Sequence, residues 1–194
     1  MSIERADAID AINVTITRSG GMSEAAEASG VYHVECFDAD GKLKWCDSIK
    51  NLVVTVGKNL ALDAFLAGAN YTVVGPFMGL ISSVGFSAIA ATDTMASHPG
   101  WTEAGGVNAP TYTAPRKTAA WNAAAGGNKG FSAPLQFSIT GNGTIKGAFL
   151  CMGAGAVNTI DNANGTLWSA GLFTAGDRSV AGGDTINISY MASL

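Results

Sequence analysis

The sequence predicts a mostly β protein: an antiparallel β-sandwich, jelly-roll-like, with one short helix and an N-terminal arm. Three observations carry this. Short stretches of β-branched and aromatic residues recur along the chain. Gly/Asn clusters separate them, at Gly126-Gly127-Asn128, Gly141-Asn142-Gly143, Asn162 to Gly165 and Gly182-Gly183-Asp184. Only one segment has the composition of a helix. Many short strands so punctuated suit a sandwich, and eight or so suit a jelly roll. No internal repeat is present.

The elements follow in order. Residues 11–18 alternate and are β-branched, which reads as a strand, and residues 19–30 read as a linker or one short helical turn. The division is therefore an arm over 1–29 and a β domain over 30–194. Residues 31–37 and 42–49 flank Asp38-Ala39-Asp40-Gly41, where Asp can bond its own backbone and Gly can take positive φ, so a hairpin is expected. Pairing Cys36 with Leu43 sets Val34 beside Trp45. Tyr32, Val34, Cys36, Leu43 and Trp45 then share the core face. His33, Glu35, Lys42 and Lys44 take the other face. Cys46 faces away from Cys36, so both are expected as reduced thiols. Residues 56–67 are the helix candidate, with Leu62, Phe65 and Leu66 on one stripe and Gly68 as the stop. Pro76 opens a core strand at 77–81. Residues 82–108 read as a long loop of the kind that is often functional. Strands are expected near 111–121, 132–140, 145–151, 166–173 and 184–191.

Composition excludes several functions. The chain has 194 residues, 47% of them hydrophobic, which is enough for a real core and argues against disorder. Lys and Arg total 11 against 15 Asp and Glu, a net charge of −4 with no basic run, so direct nucleic-acid binding is not expected. No stretch approaches the roughly 20 apolar residues of a membrane span. The start lacks an apolar signal core, so export is not expected and the five Asn-x-Ser/Thr sites have no glycosylation role. Charged residues are only 13% of the chain, against about 25% in an ordinary domain, while Gly and Ala number 25 and 32. Residues 131–194 hold only five charges: Lys146, Asp161, Asp177, Arg178 and Asp184. Either this third has a small, polar Ser/Thr/Asn/Gly surface, or its surface packs on other subunits, where charge is depleted.

Chemistry is sparse. His33 sits on the charged hairpin face, and His98 has no second His or carboxylate at ligand spacing. Three Cys show no metal spacing, and Cys151 lies in an apolar run. Asp38 and Asp40 lack the later Glu of a calcium loop. The Gly-rich runs lack the Lys-Ser/Thr of a phosphate loop. The chain is therefore expected not to be an enzyme and to hold no cofactor and no metal. Interface positions remain. Met95, His98 and Trp101 in the long loop come first, with Trp101 as an aromatic anchor. Arg116 and Lys117, the one paired basic site of the β domain's middle, come second as salt-bridge partners.

Four segments resemble a group of virion structural proteins of tailed phages. They are residues 30–45, spanning the Asp38–Gly41 turn to Trp45; residues 93–103, with His98-Pro99-Gly100-Trp101; residues 145–150; and residues 165–190, from Gly165 to Tyr190. They occur in the same order and cover about residues 30–194. The resemblance implies a virion component without separating head from tail. The absence of a repetitive shaft or heptads argues against a fibre. A compact β domain with a polar arm suits a capsid decoration, or cement, protein on the outside of the head, stabilising contacts between capsomers. Its expected partners are the major capsid protein and copies of itself, as a dimer or trimer, with no membrane. Its expected place is the capsid surface of the virion, after synthesis in the host cytoplasm. The arm could add as a strand to a neighbour. The alternative is a tail component: an adaptor, fibre or receptor-binding tip. A third class, an enzyme or carbohydrate-binding module, would need a cleft with paired carboxylates or perturbed titrating groups.

Overall fold

A computed structural model describes residues 28–66 and 74–193. The strand expected at 11–18 and nearly all of the arm lie outside the described residues. The described residues are mostly antiparallel β with one short helix and a curled sheet. Its elements are β1 (Ser29–Phe37), β2 (Leu43–Val53), α1 (Thr55–Leu66), β3 (Phe77–Ser82), β4 (Lys117–Thr118) and β5 (Asn128–Gly130). They continue with β6 (Leu135–Ser138), β7 (Gly143–Met152), β8 (Thr166–Leu172), β9 (Arg178–Val180) and β10 (Thr185–Ser193).

The strand order is β4-β3-β7-β8-β2-β1-β10-β5, with β6 also on β10 and β9 on β7. The curl turns on β2. Its first part, through Lys50, pairs with β1, and Asn51 to Val53 pair with β8. The far ends approach each other through one segment: Tyr112 bridges to Ile139, just after β6, while Lys117 and Thr118 pair with β3.

Two buried clusters result. The first takes Tyr32, Val34, Cys36, Ile49, Ile186, Ile188 and Tyr190 from one half of the curl. Met78, Leu80, Ile145, Ala148 and Leu150 enter it from the other half. The second lies on the opposite face of that other half, where Ile81, Phe149, Cys151, Leu167 and Ala170 are covered by Met95 and Trp101 of the long loop. β7 is thus covered on both faces, which is why Ala148 to Cys151 read as an unbroken apolar run rather than an alternation.

The first hairpin forms as expected in kind. Asp38 Oδ1 accepts from the amides of Asp40 and Lys42 at 3.1 and 2.9 Å, and Gly41 takes φ 79°. Its register differs. Cys36 pairs with Trp45 and Phe37 with Leu43, because a bulge falls between Cys36 and Phe37. Leu43 is therefore exposed instead of core, while Trp45 still packs on the core from its rim. Cys36 is buried, Cys46 is exposed, and both are free thiols.

The helix lies where composition put it, but on another face. Leu62 is exposed, and α1 instead rests on β8 through Gly57, beside the Trp168 carbonyl. The strand expected over 111–121 shrinks to β4 and two isolated bridges. β5 and β9 add two short strands that the turn pattern did not reveal.

Candidate functional site

The long loop is built by local bonds before it meets anything else. Asp93 Oδ2 accepts from the Ala90 amide and from Trp101 Nε1, each at 2.9 Å, closing the loop on itself. His98 stacks on Trp101 with ring centroids 3.9 Å apart, and its Nδ1 lies 2.9 Å from the Trp101 carbonyl oxygen. That oxygen can only accept, so Nδ1 carries the proton. In the neutral ring Nε2 is then an acceptor. Trp101 in turn packs on Phe149 of β7.

Behind this loop lies a buried ion pair. Arg116 donates through Nε and Nη2 to the two Glu103 oxygens at 2.8 and 2.7 Å. It also donates to the carbonyls of Val157 and Asn162, and its guanidinium stands over Phe149 at 5.3 Å. Glu103 Oε2 accepts as well from the Asp161 amide at 2.8 Å. One side chain thus ties the long loop, the approach to β4 and the β7–β8 loop together. Burial opposes the Arg116 charge, but Glu103 outweighs it and raises the Arg116 pKa. Burial likewise pushes the Glu103 carboxyl above the ordinary carboxylate range, against the pull of Arg116.

Four of the five residues singled out in the sequence meet here. Met95, His98 and Arg116 line one cleft of about 160 Å³ together with Glu103, Asn108 and Asp161, and Trp101 supports it from behind. Their orientation corrects the sequence reading. Met95, Trp101 and Arg116 are buried in the chain's own core, at 3%, 2% and 1% exposure, so none of the three offers its side chain outward. An amphipathic loop carrying a Trp looks the same in sequence whether the Trp points out or in. Lys117 turns away from the cleft. Its ammonium donates to the Thr113 carbonyl at 2.6 Å and lies over the rings of Tyr112 and Phe137, and burial lowers its pKa.

Sequence reasoning missed Glu103, Asn108 and Asp161. The signal for Glu103 was present, since a carboxylate in a loop with an otherwise apolar run needs a cation if buried. Asp161 is the one non-glycine among the described residues with positive φ, at 60°. Its carboxylate accepts from the Val107 amide at 3.2 Å. Val107 itself is 90% exposed, next in the chain to Asn108 of the cleft lining.

Elsewhere, carboxylates act as pins. Asp47 of β2 accepts from Thr174 Oγ1 at 2.6 Å and from Arg178 Nη2 at 2.6 Å. Burial alone would raise its pKa, but these bonds and the Ser48 and Ala175 amides hold it below the usual carboxylate range. Asp184 binds Lys44 at 2.6 Å and the Ala181 amide at 2.8 Å. Burial pushes the Cys36 and Cys151 thiols up to about 11, so both stay protonated and unreactive. Among the described residues no three His, Cys, Asp or Glu gather as metal ligands. No described helix is long and apolar enough to cross a membrane.

No protein family, no curated protein and no solved structure matches the chain.

Proposed function

We propose that this chain is a structural virion protein of a tailed phage, a capsid decoration protein that binds the outside of the head and stabilises contacts between capsomers. In this reading the curled sheet is a jelly-roll-like sandwich, and its work is burial of surface without chemistry.

One observation carries the reading: how the few charges of the last third are used. Lys146 pairs with Asp177, Arg178 with Asp47, and Asp184 with Lys44. Of the five charged residues over 131–194, Asp161 alone has no ion-pair partner among the described residues. The rest of that surface is small and polar, with apolar side chains such as Leu172 and Met191 exposed on it. Depletion of free charge is the compositional mark of a surface that other subunits cover. Many copies on one shell make modest areas add to a large stabilisation. The resemblance of residues 30–45, 93–103, 145–150 and 165–190 to virion proteins supports the same class.

The test is copy number in purified virions, measured as band intensity against the major capsid protein. A ratio near that of the shell protein is expected. A small fraction of it would move the protein to the tail. Absence from the particle would overturn any virion role.

A further inference from the structure

We infer that the cleft between His98 and Asp161 is a socket for a basic side chain of a neighbouring protein, with Asp161 as its counter-charge and Val107 as its apolar rim. This deepens the assembly reading above and rests on it for the identity of the neighbour, the shell protein.

The argument is one of leftover bonding capacity. Glu103 is neutralised by Arg116, and Arg116 is held by Glu103 and two carbonyls. That buried pair is therefore wall, and offers an incoming group little. Asp161 is different. It is exposed, it lines the cleft, and no cation of the described residues pairs with it. Among the described residues its Oδ2 accepts only from the Val107 amide, and its Oδ1 meets no donor. His98 lines the cleft beside it, with Nδ1 turned to the Trp101 carbonyl. Thr102, Asn108 and Asn162 add only neutral polar groups, so the lining carries two carboxylates, Glu103 and Asp161, against the one cation Arg116, and its formal charge is negative. A donor-rich cation satisfies this; an anion or an apolar tip does not.

Size and shape agree. A space of about 160 Å³ exceeds what one or two waters fill and accommodates the head of an Arg or Lys side chain. Such side chains bring an aliphatic stem, which needs apolar surface beside the charged head. Ala163 of the lining and Val107, exposed and next in the chain to the lining residue Asn108, supply it. Val107 is placed there by its own amide bond to Asp161, so the apolar and charged parts of the socket are one unit. The backbone supports this too. Asp161 holds a left-handed conformation that Asp and Asn tolerate better than other side chains, and Gly106 leaves room for its carboxylate.

The conservative variant is Asp161→Asn. Asn keeps the left-handed backbone and can still accept from Val107, so the thermal midpoint should match wild type. Loading of the full chain onto heads stripped of it is then titrated for both proteins. We expect wild type to load and Asp161→Asn to load about tenfold more weakly, an effect that shrinks as salt rises. Equal loading of the two would overturn the socket and leave the assembly reading standing. If wild type itself failed to load, the assembly reading would fall. The socket would then be decided without shells, by NMR titration with N-acetylarginine amide. Shifts of the Val107 and Asp161 amides in wild type but not in Asp161→Asn would support it, and no shifts in wild type would overturn it.

Discussion

Trp101 shows how far one side chain's role depends on where its ring points. It is 2% exposed, donates to Asp93, stacks under His98 and packs on Phe149. Trp101→Ala should therefore cost about 3–5 kcal/mol of folding stability, the range for a large aromatic removed from a core. The midpoint of urea unfolding checks it; an unchanged midpoint would return Trp101 to the surface. Asp47 carries a pH-dependent share of stability. Its pKa is lowered in the folded chain. The stability it confers is therefore full above the unfolded carboxylate value, near pH 4, and is lost as pH falls through the lower folded value. Asp47→Asn should cost about 1–3 kcal/mol at pH 7. The same substitution should cost progressively less as pH falls below about 4, as wild type comes to lose the charge as well. Urea titrations of both proteins across a descending pH series measure this difference directly.

At the scale of elements, the parts legible in sequence are those whose causes are local. The Asp38–Gly41 turn was readable because its bonds run between neighbours. The helix was readable because Leu, Ala and Lys favour it wherever it lies. What could not be read depends on partners far along the chain. The bulge at Cys36 sets Trp45 opposite Cys36, two residues beyond the expected Leu43, and leaves Leu43 exposed, and the side on which α1 rests is set by β8, more than a hundred residues later. β4, β5 and β9 exist only as the complements of β3, β10 and β7, so two or three residues of ordinary composition hold no strand signal of their own. The candidate site divides the same way. Its residues were legible as a loop with an aromatic and a basic pair, but the inward turn of Arg116 required Glu103 to be opposite it. Gly57 gives the element-scale prediction. In a free helix Gly→Ala would gain about 1 kcal/mol. Here the added Cβ would press on the Trp168 carbonyl, a backbone atom that cannot swing aside. Gly57→Ala should lower the thermal midpoint instead of raising it, and a rise would mean that α1 does not sit on β8.

Across the whole molecule, the two buried clusters share β7, and the Arg116–Glu103 pair fastens the loop that roofs the second. Removing one partner of such a pair leaves an uncompensated buried charge, so Arg116→Met should cost about 3–5 kcal/mol by urea unfolding. Whether that loss falls on the whole fold or on the roof alone can be read from the three thiols. Cys46 is exposed and should react with a thiol reagent at once at pH 8. Cys36 lies in the first cluster and Cys151 in the second, and burial holds both near pKa 11, so each reacts only when its own cluster opens. If the protein opens as one unit, Cys36 and Cys151 should be labelled at the same rate, and Arg116→Met should speed both alike. If the roof is a separate unit, Cys151 should be labelled faster than Cys36, and Arg116→Met should widen the gap. The shared strand favours the first outcome. Phe149 and Cys151 face the second cluster from the same backbone that turns Ala148 and Leu150 into the first, so neither face of β7 can be exposed without loosening the other.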